Sequence, residues 1–463
     1  MERGYLHSVV WIVLVVLLVL LTLSWLPPLQ VGDWQMRRVD LLGDLRADSL
    51  VNEEVLEVLP EVETQDDAIE VGRIRVDSCR AGMTCIDDMA DDEDRGMTAL
   101  YQALEGIDTL GRPVRIAVLG DSFIEGDILT DKLRQLLQER YGGSGVGFVP
   151  MTCDSPGFRR SVRQRFNSAW TAHDVNKLNG NNYDRRWANL TGHYYFANNG
   201  AVMSLKGVKY LSRLDTCQQS TFYCMGNGTG RVTAIINGAQ SQSFNLSPGG
   251  RVQAVTVTGK IGHVEWRVDH DGGITYLGAS LDDSHGVQVD NFAMRSAGGQ
   301  HLRTINEQML IDFDRVRHYD LVIFMYGLNV AGKLASDYTT YRERMVEAID
   351  HMKRNMPGTG FLVVSVGDRE QKRGDTYRTM RGVISMVNAQ QRIAYDSRVA
   401  FWNLYTAMGG EGSIVRMVEQ NQANLDYTHI NFGGGARLGR LMYDVITWGH
   451  EQYHEQARKG GQP

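Results

Sequence analysis

The sequence predicts an α/β protein in which a parallel sheet flanked by helices is interrupted by an inserted all-β, sandwich-like domain and preceded by an N-terminal transmembrane helix. Three observations predict it. Apolar runs of strand length alternate with helical periodicities over 97–150 and again from 302 onward. The stretch between them is made of short β-branched and aromatic runs separated by Gly, Asn, Asp and Ser. Residues 9–26 are apolar apart from Thr22 and Ser24. With 43% hydrophobic and 22% charged residues in 463, the composition is that of a globular chain with sizeable cores. A net charge of −7 gives no broad attractive field for polyanions, which excludes nucleic acid as a partner class.

From the N-terminus, a short flank (1–8) leads into the run 9–26, about the minimum length that crosses a hydrocarbon core. It ends in Trp25-Leu26-Pro27-Pro28 and not in a small-x-small cleavage site, so it reads as an uncleaved anchor. Arg3 precedes the span and Arg37 and Arg38 follow it, so charge does not decide its orientation. Residues 27–95 read as a stalk, with eight acidic and no basic residues between Val51 and Glu70; a short helix carrying Val55, Leu56, Leu59 and Val62 is the competing reading. Cys79 with Cys85, and Cys217 with Cys224, are each close enough to close a small disulfide loop, and unpaired thiols fit as well. The five cysteines lack the paired CxxC spacing of a zinc site, and no metal or cofactor is expected.

The α/β portion begins at 96. A helix over MTALYQALEGID precedes the strand VRIAVL (Val114–Leu119), which runs into Gly120-Asp121-Ser122; Asp127 is placed to cap the helix that follows and ends at Gly142 and Gly143. After 286 the alternation resumes, with helices expected over 302–316, 336–355, 374–394 and 434–455 and strands over YDLVIFMYG, FLVVSV and VAFWNLY. Between these parts, 151–285 reads as the β-rich insertion. In HVEWRVD, Val264, Trp266 and Val268 alternate with His263, Glu265, Arg267 and Asp269, so Trp266 is expected in a core and Asp269-His270-Asp271 in a polar hairpin. Arg159, Arg160, Arg163 and Arg165 read as a solvated face.

Four short patterns carry the chemistry: Gly120-Asp121-Ser122 directly after a strand, Gly298-Gly299 in RSAGG, Gly327-Leu328-Asn329 directly after another strand, and Asp426-Tyr427-Thr428-His429 before the last helix. Singly each is weak; their order and context give them force. In these residues the sequence resembles the SGNH, or GDSL, hydrolase superfamily, over about 96–150 and 286–455. The resemblance implies an SGNH-type, flavodoxin-like sheet whose halves are 96–150 and 286–463. It implies a serine esterase with the triad Ser122, Asp426 and His429, and an oxyanion hole made by Ser122, Gly299 and Asn329. Acyl transfer asks for these groups: an imidazole base for a weak hydroxyl nucleophile, a carboxylate to orient and stabilise the imidazole, and donors waiting for the oxyanion. Asp121 is assigned to bracing the turn through side-chain to backbone bonds.

A β-rich module between the first and second patterns is similar to bacterial glycan and peptidoglycan O-acetylesterases of that superfamily. The substrate this implies is an acetylated envelope or extracellular carbohydrate, met by a membrane-anchored enzyme on the periplasmic or other extracytoplasmic side. An O-acetyltransferase with the same triad, working with a membrane acetyl-transfer protein, is the alternative. A non-catalytic carbohydrate-binding protein is disfavoured by the intact triad.

Overall fold

The computed structural model describes residues 79–90, 95–155, 157–177, 183–226, 228–374 and 376–460, together with 11, 30, 31, 34 and 35. The chain divides into two units, Met1–Asp67 and Ala68–Pro463. In the first, Gln30–Val31 pairs antiparallel with Trp34–Gln35. The anchor expected over 9–26 lies outside the described residues except for Trp11, as does most of the stalk expected over 27–95. Among the described residues no helix is long and apolar enough to cross a membrane.

The second unit opens with β1 (Ile86–Asp88), α1 (Thr98–Glu105), β2 (Val114–Gly120) and α2 (Thr130–Tyr141). Eleven strands follow among the described residues: β3 (Gly147–Val149), β4 (Arg163–Phe166), β5 (Trp170–Asp174), β6 (His193–Ala197), β7 (Val202–Lys206), β8 (Cys217–Gly226), β9 (Gly230–Ile236), β10 (Gln240–Leu246), β11 (Gln253–Ile261), β12 (His263–Asp271) and β13 (Ile274–Asp282). The chain then returns through β14 (Val287–Ala293), α3 (Glu307–Val316), β15 (Leu321–Met325), α4 (Thr339–Asn355) and β16 (Gly360–Val364). It closes with the hairpin β17 (Glu370–Arg373) and β18 (Thr376–Thr379), α5 (Arg381–Ser397), β19 (Ala400–Trp402), α6 (Leu404–Met408), α7 (Ser413–Glu419) and α8 (Phe432–Gly460).

Six of these strands form one sheet in the order β14-β2-β15-β16-β19-β1, parallel throughout except for the antiparallel edge strand β1. Continuous apolar runs suit strands buried on both faces: every residue of β15 (LVIFM) and β16 (GFLVV) is buried. The insertion forms two further sheets, β11-β8-β13-β6-β5 with β3 added on β13, and β10-β9-β12-β7-β4. They face each other across Trp266 of β12, which is fully buried, donates through Nε1 to Ser220 Oγ of β8 at 3.0 Å, and lies against the Phe222 ring at 5.1 Å between centroids. Trp266 is therefore a core residue, as its alternation predicts. Asp269-His270-Asp271 end β12 and the turn itself falls at Gly272-Gly273, with Asp271 accepting across it from the Ile274 N–H and the Tyr276 hydroxyl.

Arg317, at the end of α3, joins the insertion to the parallel sheet. It is fully buried and bonds Asp282 of β13 at 2.6 Å, Asp290 of β14 at 2.6 Å and the Tyr223 hydroxyl of β8 at 2.8 Å. Phe148, Tyr223, Phe292 and Phe313 pack around the same seam.

Several local expectations are corrected. Asp127 caps no helix: it sits at φ 66°, and α2 starts at Thr130 with no side-chain cap. Asp127 is instead a buried acceptor for Thr130, Arg134, Arg159 and Ser161. Burial pushes its carboxyl up, but the two guanidiniums and these bonds outweigh burial and hold it far below the usual range. Arg159 accordingly leaves the expected solvated face and pairs with Asp127, while Arg160, Arg163 and Arg165 are exposed as expected, Arg160 lying over the Phe432 ring at 3.8 Å. The helix expected over 302–316 starts at Glu307, because Ile305 is extended and Asn306 caps α3 by accepting from the Met309 N–H. The helix expected over 336–355 starts at Thr339, after Tyr338 turns left-handed at φ 50°. The first part of the helix expected over 374–394 is the hairpin β17–β18, and α5 begins only at Arg381. Cys79 and Cys85 are disulfide-bonded, whereas Cys153, Cys217 and Cys224 are free thiols, the last two buried.

Candidate active site

Three of the four patterns come together at the C-terminal ends of neighbouring parallel strands: Ser122 follows β2, Gly299 follows β14 and Asn329 follows β15. Open α/β sheets bind ligands at this edge, because the loops there diverge. Gly120 ends β2 where a Cβ would stand 2.8 Å from the Met325 carbonyl, so only glycine lets the two strands lie this close as the chain turns toward Ser122.

The fourth pattern reaches the same edge from the loop before α8. An isolated bridge between Ala423 and Ile430 and a 2.8 Å bond from Asn424 N–H to the His429 carbonyl close this loop on itself. Tyr427, at φ 52°, folds the chain back so that Asp426 faces the residue three positions on. Asp426 Oδ1 accepts the backbone N–H groups of Thr428 and His429, each at 3.0 Å, and Oδ2 lies 2.7 Å from His429 Nδ1. Burial pushes the Asp426 carboxyl up, but the hydrogen bonds from the His429 ring and the two backbone N–H groups prevail and hold it at about 2. It stays an anion across the ordinary pH range.

With Nδ1 donating to Asp426, His429 Nε2 presents a lone pair, and it stands 3.2 Å from Ser122 Oγ. The arrangement can take a proton from the hydroxyl and stabilise the resulting imidazolium. It is open to solvent, the side chains of His429 and Asp426 being 41% and 47% exposed.

Asn329 directs its amide Nδ2 to Asp121 Oδ2 at 3.0 Å and to the Ala297 carbonyl at 3.3 Å. The second bond sets the 297–299 segment beside Asn329. Gly299 is left-handed at φ 86° and leads into the 3-10 turn Gln300–Thr304; a Cβ there would stand 2.8 Å from the Tyr326 ring. Asp121 braces the turn, as its position predicts, by accepting from the Phe123 N–H at 2.9 Å.

Sequence reasoning missed the hairpin as a neighbour of this site. Tyr377 of β18 stacks on Tyr427 at 3.9 Å between centroids, Glu370 N–H donates to the Tyr427 carbonyl, and Arg369 Nε donates to Thr428 Oγ1. The Gly374-Asp375 pair, a turn signal between alternating residues, was the available clue.

The chain shares the fold of a solved peptidoglycan O-acetylesterase. That structure, described as the enzyme in action at 5 min, matches with a TM-score of 0.65 at 19% identity, over 79% of this chain and 99% of its own. A family two carbohydrate esterase from Cellvibrio japonicus matches with a TM-score of 0.25 at 12% identity, over 62% of this chain and 98% of its own. A salicylyl-acyltransferase from a tetracycline biosynthetic pathway matches with a TM-score of 0.26 at 12% identity, over 66% of this chain and 99% of its own. At such scores these two add no weight. No family model matches the sequence, and no curated protein does.

Proposed function

We propose that this chain is a serine esterase of SGNH type that removes O-acetyl groups from an envelope or extracellular carbohydrate. The observation that carries the reading is the chain of contacts from Ser122 Oγ to His429 Nε2 and from His429 Nδ1 to Asp426, in the orientation acyl transfer needs. The shared fold with a peptidoglycan O-acetylesterase supports a glycan acetyl ester as the substrate class.

In this reading Ser122 Oγ attacks the acetyl carbonyl carbon as His429 takes its proton. The oxyanion is met by the backbone N–H groups of Ser122 and Gly299 and by the Asn329 amide, which turns from the Ala297 carbonyl to do so. The imidazolium returns the proton to the sugar oxygen as the acyl–oxygen bond breaks, leaving an acetyl-enzyme. Water, deprotonated by His429, then adds to the acetyl carbon and releases acetate and the free serine. In this proposal water, and not a sugar hydroxyl, is the acceptor of the second step, which makes the reaction hydrolysis and not O-acetyl transfer. Residues 96–150 and 286–463, with the edge strand β1, form the catalytic domain in this proposal and 151–285 the insertion, with an anchor at 9–26 holding both on the extracytoplasmic side of a membrane.

The test supplies the full chain, in detergent, with acetylated glycans and separately with an activated acetyl ester, with and without an unacetylated glycan. Free acetate in both experiments is expected. Acetyl groups appearing mainly on the glycan, with little acetate when glycan is absent, would replace hydrolysis by transfer.

A further inference from the structure

We propose that the cavity beside the β17–β18 hairpin is a subsite for a carboxylate carried by the glycan, which makes the acetylated substrate an acidic carbohydrate. The inference deepens the esterase reading and rests on it for the reaction, though not for the binding. The cavity is about 470 Å³ in volume. Among the described residues its wall carries three guanidiniums, those of Arg373, Arg378 and Arg381, against one carboxylate, that of Glu411. Thr379 and Tyr405 add hydroxyl groups.

This concentration of positive charge stands on a chain whose net charge is −7, so it is not the local expression of a basic protein. Among the described residues of the lining, the one carboxylate is held loosely. Arg378 and Glu411 approach only to 4.0 Å, with side chains 62% and 65% exposed, a geometry in which an ion pair contributes little. Arg373 Nη2 and Nε lie 3.0 and 3.2 Å from the end of the Gln371 side-chain amide, a neutral group. Guanidinium forks bind carboxylates bidentately, and several around one cavity fit a planar anion better than a neutral sugar ring.

The cavity and the catalytic loop adjoin the same hairpin. β18 sets Tyr377 against Tyr427, two residues before His429, and its next residue, Arg378, lines the cavity. The strand is held in place by a 2.7 Å bond from Thr379 Oγ1 to Asp368 Oδ1. A glycan whose acetyl group reaches Ser122 over that loop can therefore present a neighbouring carboxylate to the arginines. A uronate ring and a peptide-bearing glycan both carry such a group.

The experiment measures KM with acetylated oligogalacturonate, acetylated muropeptide and neutral acetylated xylo-oligosaccharide, using the full chain and an Arg378→Gln/Arg381→Gln double variant. At least one acidic substrate should show a KM about tenfold below that of the neutral one, a preference that shrinks with salt and collapses to about twofold in the double variant. Which acidic substrate is preferred identifies the source of the carboxylate. Equal KM values on all three, or a preference that survives in the double variant, overturns the subsite. Calorimetric titration with unacetylated oligogalacturonate and unacetylated muropeptide separates the two claims. Binding that the variant loses, without acetate release from any ester, leaves the subsite standing and removes the esterase reading. Acetate release with no binding difference removes the subsite alone.

Discussion

The Asn329 amide donates to Asp121 Oδ2 at 3.0 Å, so the residue directly before Ser122 holds the side chain assigned to the oxyanion. Asp121 is 1% exposed. Burial raises its carboxyl from 3.8 to about 6, against the opposing effects of the Phe123 N–H, the His429 charge and the Asn329 amide. A carboxyl raised on folding binds its proton more tightly in the native state. Stability therefore falls as pH rises from about 4 through about 6, and the full cost, about 3 kcal/mol, is present above that window. Asp121→Asn removes this titration. Urea unfolding should find the variant more stable than the parent at pH 8, by up to about 3 kcal/mol, with no such gain at pH 4. A variant less stable at pH 8 would mean that the bonds to the carboxylate outweigh its burial.

Ser122→Ala should remove nearly all ester hydrolysis, about 10⁴-fold or more in kcat, because water attacking directly lacks the covalent step. The thermal midpoint should stay near that of the parent, since Ser122 is only partly buried. Activity retained within about tenfold would remove Ser122 from the nucleophile's role.

Asn329→Ala should lower kcat by about 10²–10³-fold while leaving the serine and its base in place, so that a serine-directed phosphonate still labels slowly. Turnover and labelling both at parental rates would reduce Asn329 to a strand-end residue that satisfies Asp121.

Gly298 and Gly299 differ in what a side chain would meet. Gly299→Ala combines a left-handed backbone with a 2.8 Å approach to the Tyr326 ring, whereas a Cβ at Gly298 stands 3.1 Å from a Val330 methyl group. Gly299→Ala should cost about 1–3 kcal/mol of stability and shift the 297–299 segment, with a large loss of kcat; Gly298→Ala should be milder in both. Equal effects in thermal unfolding and kinetics would remove the distinction.

Arg317→Met should be among the most damaging single changes, about 3–5 kcal/mol, because it leaves Asp282 and Asp290 buried without their cation. Chemical denaturation reads this directly. Asp282→Asn/Asp290→Asn/Arg317→Met together should recover part of the loss, because the uncompensated charges go with the cation.

Much of this was legible in the sequence because it is encoded locally. Continuous apolar runs such as LVIFM suit a strand covered on both faces, and together with the helical periodicities between them they announce a parallel sheet, although the strand expected over YDLVIFMYG spans only Leu321–Met325. The alternation around Trp266 likewise fixes a half-buried strand. Asp426 and His429 are three residues apart, so their mutual contact is a property of one short loop.

Tertiary structure decided whatever depends on partners distant in sequence. Asp127 has the residue type and position of a helix cap, yet Arg159 and Ser161, more than thirty residues on, recruit it into a buried network that no local pattern announces. Cys217 and Cys224 have the spacing of a small disulfide loop but remain buried free thiols in β8, whereas Cys79 and Cys85 bond. The hairpin at 370–379 gains its meaning only when Tyr377 meets Tyr427, and Asp121 holds Asn329 across 208 residues of chain. Local periodicity reports which face of an element is apolar. It carries no record of which buried polar groups will satisfy one another, because that depends on how the elements pack.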